Sequence, residues 1–273
     1  MDYNYTKENP LRVVTLCSGY DSQCLALKYA GIPFELVAWA EFDPESKAPL
    51  DKQPAVIAHN ALFPEYADRN LGDMTKIDWN TVPDFDMLFY STPCQSISNA
   101  GLQHGFVEGS GTRSSIIWNV RDAVKIKRPK YLILENVKAM ISDKFVGMFN
   151  LWQSELLKFG YTNFPQVLNA KDYGVPQNRE RIFLVSVHGD AWFNFPQPQE
   201  LKLRLKDVLE ENVDEKYYLD DVKVATFVGG LEKDKLNMIC SDWFRGTPIG
   251  GGGGGEDHPF RLFQVWHADP PSR

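Results

Sequence analysis

The feature that most constrains the fold of this chain is a regular alternation of short apolar runs with stretches of helical pattern. The apolar runs that predict strands lie at residues 11–17, 35–40, 86–90, 131–134 and 182–187. Helices are predicted at residues 22–30, 114–126 and 145–159. Strands that alternate with helices form βαβ units, so the pattern predicts an α/β fold with a doubly wound, mostly parallel sheet. In such sheets ligands bind at the carboxyl ends of the strands.

Charge and cysteine usage exclude several classes of protein. The 29 basic and 36 acidic residues give a net charge of −7, so any nucleic-acid contact must come from a local patch. The four cysteines show no Cys-x-x-Cys spacing, and we therefore expect neither a disulfide scaffold nor a bound metal. No apolar run approaches the roughly 18–20 residues that cross a bilayer, and we expect a cytoplasmic protein without a membrane partner.

Three polar motifs adjoin predicted strands. Residues 91–98 (Ser-Thr-Pro-Cys-Gln-Ser-Ile-Ser) and 135–137 (Glu-Asn-Val) each follow a strand, and residues 177–181 (Gln-Asn-Arg-Glu-Arg) precede another. In this order and spacing they resemble the signature motifs of the cytosine-C5 DNA methyltransferase family, over about residues 11–187. The resemblance implies the Rossmann-like fold of the S-adenosylmethionine-dependent methyltransferases.

The chemistry of cytosine explains why these residue types occur together. C5 is a poor nucleophile, so a thiolate first adds to C6 and raises the electron density at C5. Charge that develops on the ring is stabilised by an acid and a cation. The resemblance implies that Cys94 is the nucleophile, that Glu135 contacts N3 and the exocyclic amine, and that Arg181 contacts O2. It also implies that Arg179 steadies the Cys94 loop and a nearby phosphate.

Each of these residues also has a simpler interpretation. A free cysteine is usually a small buried apolar residue. Here Pro93 before Cys94, and the polar Gln95 and Ser98 after it, favour a turn that exposes the sulfur. The arginines alone are equally typical of a charged surface.

The resemblance also implies residues that contact the nucleic acid, namely Gln95, Ser98 and Arg113. The glycine-rich stretch at 105–113 corresponds to a mobile family loop that closes over the flipped base, and its glycines permit such motion. An ordinary surface loop is the alternative interpretation.

A methyl-donor site is predicted at the ends of the first two strands. A tight turn lets the backbone approach the donor, and a carboxylate binds its ribose hydroxyls, which is the implied role of Glu41. Residues 72–74 (Gly-Asp-Met) resemble the adenine-contacting motif of the family, which implies that Asp73 accepts a hydrogen bond from the adenine amine and that Met74 packs on the ring. The predicted contacts of S-adenosylmethionine, or of the product S-adenosylhomocysteine, are Cys17, Gly19, Tyr20, Glu41, Phe42, Asp73, Met74 and Pro93. The turn departs from the family pattern, with Cys17 in place of an aromatic residue and Asp21 and Ser22 in place of two glycines.

The region after about residue 190 lacks the expected pattern. The resemblance implies a target-recognition region followed by an Arg-x-Leu-Thr-Pro-Arg-Glu segment and a Gly-Asn motif, and neither motif is found. We therefore expect a catalytic domain at 1–190, a short remnant of the recognition region at 191–249, and a linker with an irregular tail at 250–273, which opens with six glycines. On this view the chain is truncated, altered at its end, or dependent on a second polypeptide.

Three functions are weighed. The first is methylation of cytosine in double-stranded DNA, which requires that the base be flipped out of the helix. The second is methylation of cytosine in RNA, such as tRNA, with the same catalytic residues. The third is a nucleic-acid or cofactor-binding module of the same fold without catalysis. A dehydrogenase is disfavoured, because the first turn lacks the Gly-x-Gly-x-x-Gly pattern.

Overall fold

The computed structural model describes residues 5–93, 107–109, 113–210, 213–215 and 218, with the backbone alone at 113 and 114. The strands are β1 (Leu11–Leu16), β2 (Phe34–Ala40), β3 (Met87–Tyr90), β4 (Tyr131–Val137), β5 (Tyr161–Asn169) and β6 (Glu180–His188). The α-helices are α1 (Ser22–Tyr29), α2 (Pro54–Leu62), α3 (Val120–Lys127) and α4 (Val146–Lys158). Short 3-10 helices lie at Leu50–Lys52, Pro64–Arg69, Met74–Lys76, Arg113–Asn119, Lys138–Ile141, Ala170–Tyr173 and Leu205–Asp207.

The six strands form one sheet in the order β2-β1-β3-β4-β6-β5. The pairs β1–β2, β1–β3 and β3–β4 are parallel, whereas β4 and β6 are antiparallel. The predicted doubly wound, mostly parallel α/β fold is therefore confirmed. The antiparallel direction of β6 brings the start of this strand to the same edge of the sheet as the end of β4, where Val137 pairs with Arg181.

Alternating side chains of β1 enter two hydrophobic cores on opposite faces of the sheet, as expected when side chains alternate along a strand. Val14 and Leu16 belong to a core that includes residues of α3 and α4. Leu11 and Val13 belong to a second core that includes residues of α1 and α2. Helices therefore cover both faces of the sheet, and the polar residues that follow the strands lie at the strand ends.

All five predicted strands are present, and so are the helices predicted at 22–30 and 145–159. The helix predicted at 114–126 is α-helical only in its second half, because Arg113–Asn119 is a 3-10 helix. The sequence analysis missed α2 and β5. A proline at the first turn of α2 is a helix-start signal that could have revealed this helix.

The chain divides into two compact units. One comprises the described residues up to 167 together with 181–195, and the other comprises 168–180 together with the described residues from 196 onward. The functional boundary predicted near residue 190 stays a prediction. None of the helices in the described part of the chain is both long enough and apolar enough to span a lipid bilayer.

Candidate active site

A cluster of polar side chains lies where β3 and β4 end and β6 begins. The Nε of Arg181 lies 3.0 Å from Oε1 of Glu135. The other oxygen of this carboxylate, Oε2, accepts a 2.7 Å hydrogen bond from the Ser91 hydroxyl. The two members of the ion pair are only partly buried, with side chains 30% (Glu135) and 22% (Arg181) exposed. An acid and a cation thus lie together within reach of solvent at this edge.

The segment that leads to Cys94 is anchored to β4. The amide of Asn136 donates a 3.0 Å hydrogen bond to the carbonyl oxygen of Thr92, and both residues are buried. The side-chain oxygen of Asn136 accepts from the backbone N–H of Val137 at 2.9 Å. Because a buried amide needs such partners, Asn136 sets the position of Thr92 relative to Glu135. Asn136 and Ser91 both belong to the polar motifs that follow β4 and β3 in the sequence, but no role was predicted for either residue.

Several predicted site residues cannot be located. Cys94, Gln95 and Ser98 lie outside the described residues, and of Arg113 only the backbone is described, at the start of a 3-10 helix. Pro93 is the last described residue before Cys94 and is half-buried. The predicted contacts of these residues therefore stay predictions.

Arg179 belongs to the second unit, where its side chain is exposed. Its backbone N–H donates to Oδ1 of Asn169 at 3.0 Å, and its carbonyl oxygen accepts from the N–H of Ala170. A hydrogen bond from the Asn169 amide to Oδ1 of Asn178 holds the same segment. The backbone around Arg179 is thus fixed within its unit, while the guanidinium is open to solvent.

The turn after β1 has an unusual backbone. Cys17, Gly19 and Asp21 all have a positive φ, of 51°, 58° and 64°. Glycine adopts this conformation at little cost, but other residues do so only where the surroundings enforce it. The backbone N–H of Gly19 donates a 2.7 Å hydrogen bond to Oε2 of Glu41, which follows β2. The predicted donor residues Gly19 and Glu41 are therefore in contact.

Glu41 is largely buried beneath this turn. Burial raises the pKa of its carboxyl group, the Gly19 amide partly opposes this shift, and the carboxylates of Asp21 and Asp43 add to it. Tyr20 and Phe42, which flank the two contacting residues in sequence, are exposed. Their rings are available to a ligand at this edge.

Cys17 joins the turn to the segment at Asp73 and Met74. Its thiol donates to the Met74 sulfur at 3.4 Å. Burial, together with the negative charges of Glu41 and Asp73, raises the pKa of Cys17 to about 12. Cys17 is therefore a neutral thiol in contact with Met74.

Asp73 begins the 3-10 helix Met74–Lys76. Its Oδ1 accepts from the backbone N–H and the hydroxyl of Thr75, and its Oδ2 lies 3.1 Å from Nζ of Lys76. Burial tends to raise the pKa of Asp73, but the bonds to Thr75 and Lys76 outweigh it and the pKa is lowered. The side chain remains 24% exposed, and a carboxylate offers about four acceptor positions, so it can accept a further donor.

The region also contains a buried pair that the sequence analysis did not recognise. Asp21 was noted only as a departure from the family's glycine, yet its carboxylate contacts His59, which lies on α2. The sequence shows no signal for this contact, since the two residues are 38 positions apart. Among the described residues, no group of three or more histidine, cysteine or acidic side chains is arranged to hold a metal ion, and the expectation of no metal stays a prediction.

Solved structures define the class of this fold. The chain is similar to the Dnmt2 methyltransferase of S. pombe, with a TM-score of 0.59 and 19% identity over 80% of this chain and 65% of that one. It is also similar to the Entamoeba histolytica methyltransferase EhMeth, with a TM-score of 0.60 and 20% identity over 77% of this chain and 63% of that one. At these identities the likeness establishes the fold alone, which is that of the S-adenosylmethionine-dependent methyltransferases.

Sequence comparison identifies the family. The model of the C-5 cytosine-specific DNA methylases matches residues 11–228, and the chain belongs to this family. It is 36% identical to the type II methyltransferase M2.ScrFI of Lactococcus lactis subsp. cremoris, over 87% of this chain and 77% of the relative. It is 32% identical to the orphan methyltransferase M.Rho11sI of Bacillus phage rho11s, over 82% of this chain. The chain spans about half the length (48%) of this phage relative.

Proposed function

We propose that this chain transfers a methyl group from S-adenosylmethionine to C5 of cytosine in DNA, through a covalent bond between Cys94 and C6. One observation carries the proposal: an acid, Glu135, and a cation, Arg181, lie together beside the anchored segment that leads to Cys94. Membership of the cytosine-C5 DNA methylase family supports the same chemistry.

The residues that would contact the acceptor base, cytosine, have different roles in the reaction. The Cys94 thiolate adds to C6, and the electron pair of the C5–C6 double bond becomes available at C5. In its protonated form, Glu135 gives a proton to N3 as negative charge develops there, and Arg181 interacts with O2. The proton returns from N3 to Glu135 when the product forms. The Ser91 hydroxyl holds the Glu135 carboxyl group in place. After methylation, loss of the C5 proton to a base restores the ring double bond and expels the Cys94 thiolate.

The donor residues fit a nucleoside with a positively charged sulfur. When bound, S-adenosylmethionine supplies an electrophilic methyl group and leaves as S-adenosylhomocysteine. The turn at Gly19 leaves open space where a side chain would stand, which permits close approach of a ligand to the backbone. Glu41 would accept from the ribose hydroxyls. Asp73 would accept from the adenine amine, while Met74 would pack against the ring.

The remaining contacts of this donor site rest on the family resemblance. Cys17, Tyr20, Phe42 and Pro93 would surround the donor with apolar surface. The two aromatic side chains are exposed and the cysteine is uncharged, which suits this role.

The nucleic-acid contacts are proposed in the same way. Gln95, Ser98 and Arg113 would contact the flipped cytosine and its neighbours, and the exposed guanidinium of Arg179 would contact a phosphate of the DNA. Extrusion of a base costs a few kcal/mol, which contacts to the DNA must offset. The short remnant of the recognition region proposed at 191–249 would supply part of these contacts. Dependence on a second polypeptide stays a prediction, which label in DNA from the chain alone would contradict.

Transfer of tritium from labelled S-adenosylmethionine tests the proposal. Duplex DNA, single-stranded DNA and tRNA are each incubated with the chain and with Cys94→Ala. We expect label in DNA with the unmodified chain and none with Cys94→Ala, because the alanine cannot form the covalent bond. Label confined to tRNA would overturn the choice of substrate. Equal incorporation by both proteins would overturn the mechanism.

A further inference from the structure

A pair of ionisable side chains is completely buried behind the donor turn. Asp21 and His59 both have 0% exposure, and Nε2 of His59 lies 3.1 Å from Oδ2 of Asp21. The same oxygen accepts a 3.0 Å hydrogen bond from the hydroxyl of Thr15, in β1. The Trp39 ring, from β2, stacks on the imidazole with the ring centroids 3.5 Å apart. The Asp21 carboxylate therefore connects the donor turn to β1 through Thr15 and to α2 through His59.

A buried pair of ionisable side chains costs more free energy than an apolar core. Burying a carboxylate costs free energy unless it is fully hydrogen-bonded, and apolar residues of similar size often stabilise a protein as well or better. The Cys24 thiol of α1 also faces the Asp21 carboxylate, but within the described structure Oδ1 accepts no hydrogen bond from a nitrogen or oxygen donor. Burial raises the pKa of Asp21, and the contact with His59 opposes this shift. Stability alone gives no reason for these residues.

The backbone of Asp21 is costly as well. Its φ of 64° lies in the left-handed region, where glycine is the usual residue. The N–H of Asp21 donates to the carbonyl of Ser18 at 2.9 Å and closes the turn that contains Gly19. The carbonyl of Asp21 accepts from the N–H of Leu25 and begins α1. The Asp21 side chain therefore fixes the turn at the residue whose backbone conformation gives the turn its shape.

We propose that Asp21 and His59 are positioning residues for the methyl donor. By fixing the turn from behind, the pair holds the Gly19 backbone against Glu41, in the arrangement that receives S-adenosylmethionine. The inference rests on the proposed function, because it concerns the donor site of that same reaction.

Donor affinity separates positioning from plain stability. Binding of S-adenosylhomocysteine is measured by titration calorimetry for the chain and for Asp21→Asn, His59→Gln and Asp21→Gly, with thermal unfolding recorded in parallel. We expect each variant to raise the dissociation constant by about tenfold, the effect of one lost buried hydrogen bond to a charged group. The kcat at saturating donor should change by less than about threefold, because the acceptor residues are untouched.

Two comparisons exclude a merely structural role. Ser186 is also completely buried, and its hydroxyl donates to Asn163 at 2.6 Å in another part of the sheet. The variant Ser186→Ala should lower the melting temperature and leave donor affinity unchanged. The double variant of Asp21→Asn with His59→Gln should bind no more weakly than either single variant, because the two residues act as one unit.

Each outcome bears on the inference. If Asp21→Gly binds S-adenosylhomocysteine as tightly as the unmodified chain, only the backbone conformation matters and the inference is wrong. If the unmodified chain binds no S-adenosylhomocysteine, the proposed function itself fails. Should the Asp21 variants not fold, Thr15→Val removes one hydrogen bond to the same carboxylate with little change in shape. It should weaken binding by about threefold, and unchanged binding would then overturn the inference.

Discussion

The two halves of the candidate active site are built differently. On the donor side, between β1 and β2, the supporting side chains of Thr15, Asp21 and His59 are completely buried, and Thr15 and His59 each contact Asp21. On the acceptor side, between β3, β4 and β6, the buried amide of Asn136 holds the Thr92 backbone, while the Glu135 and Arg181 side chains are partly exposed and pair with each other. Buried ionisable side chains support the donor half, whereas the charged side chains of the acceptor half are within reach of solvent.

This difference indicates that the donor half and the acceptor half have different functions. A donor that binds the same way in every turnover benefits from a site that is already shaped, because less freedom is lost on binding. A base that enters from a duplex must instead exchange contacts with residues that it can reach. In the proposed reaction, the Glu135 and Arg181 side chains contact each other until cytosine enters, and then Glu135 contacts N3 and Arg181 contacts O2. Donor-side variants should thus change donor affinity, and acceptor-side variants should change the rate.

The largest effect separating the two halves is expected for Glu135→Gln. The amide cannot deliver a proton to N3, and we expect kcat to fall by about 10²–10⁴-fold, the usual contribution of a general acid. Binding of S-adenosylhomocysteine should be unchanged, since Glu135 is proposed to contact only the base. Steady-state methylation kinetics and calorimetry measure the two quantities.

A matched control is Glu155→Gln on α4, where Glu155 forms a local ion pair with Lys158. This variant should behave like the unmodified chain in both measurements. A Glu135→Gln variant that loses donor affinity as well as rate would break the proposed separation of the two halves.

A smaller effect is expected for Glu41→Gln, on the donor side. Loss of the charge should weaken S-adenosylhomocysteine binding by about tenfold, with little change in kcat at saturating donor. Because burial raises the pKa of Glu41, protonation begins above the usual carboxyl range as the pH falls. Donor affinity of the unmodified chain should thus decline with falling pH, which calorimetry at several pH values measures. If Glu41→Gln shows the same decline, Glu41 is not the group responsible.

The smallest effect is expected away from both halves, at Asp86. Its carboxylate accepts from the backbone N–H and the guanidinium of Arg12. Burial tends to raise the pKa of Asp86, but Arg12 outweighs it and the pKa is lowered. Since the Arg12 side chain is 45% exposed, we expect Asp86→Asn to lower the free energy of unfolding by only about 1 kcal/mol at pH 7. Donor affinity and kcat should be unchanged.

The pH dependence of this variant follows from the lowered pKa. A carboxylate with a lowered pKa stabilises the fold above its unfolded pKa of about 4, and this contribution is lost as the pH falls through the folded value. The difference in stability between the unmodified chain and Asp86→Asn should therefore shrink below about pH 4. Urea unfolding over a pH series measures it, and a constant difference would contradict the assignment to this ion pair.

Sequence patterns predicted much of the fold and part of the site. Apolar runs revealed five of the six strands, because burial on a sheet leaves a local signature. The direction of β6 was not predictable in this way, since the periodicity of a strand is the same for parallel and antiparallel pairing. Its direction explains why the motif with Arg181 precedes its strand whereas the motif with Glu135 lies at the end of its own.

Contacts between single residues distant in sequence were beyond prediction. The family motifs indicated Glu135 and Arg181, and the structure brings these two together. The hydrogen bond from Ser91 to Glu135 and the buried pair of Asp21 with His59 depend on how the strands and helices pack. The sequence around a single histidine on a helix does not indicate such a partner.

The most direct test of the central claim is covalent trapping of Cys94. A duplex that contains 5-fluorocytosine lacks the C5 proton whose loss releases the enzyme, so the adduct should persist after methylation. In the presence of S-adenosylmethionine, we predict a complex that survives denaturation, with the bond mapped to Cys94 by mass spectrometry, and no complex with Cys94→Ala. Absence of the adduct from a chain that binds S-adenosylhomocysteine, or a bond to Cys17, Cys24 or Cys240, would contradict the account.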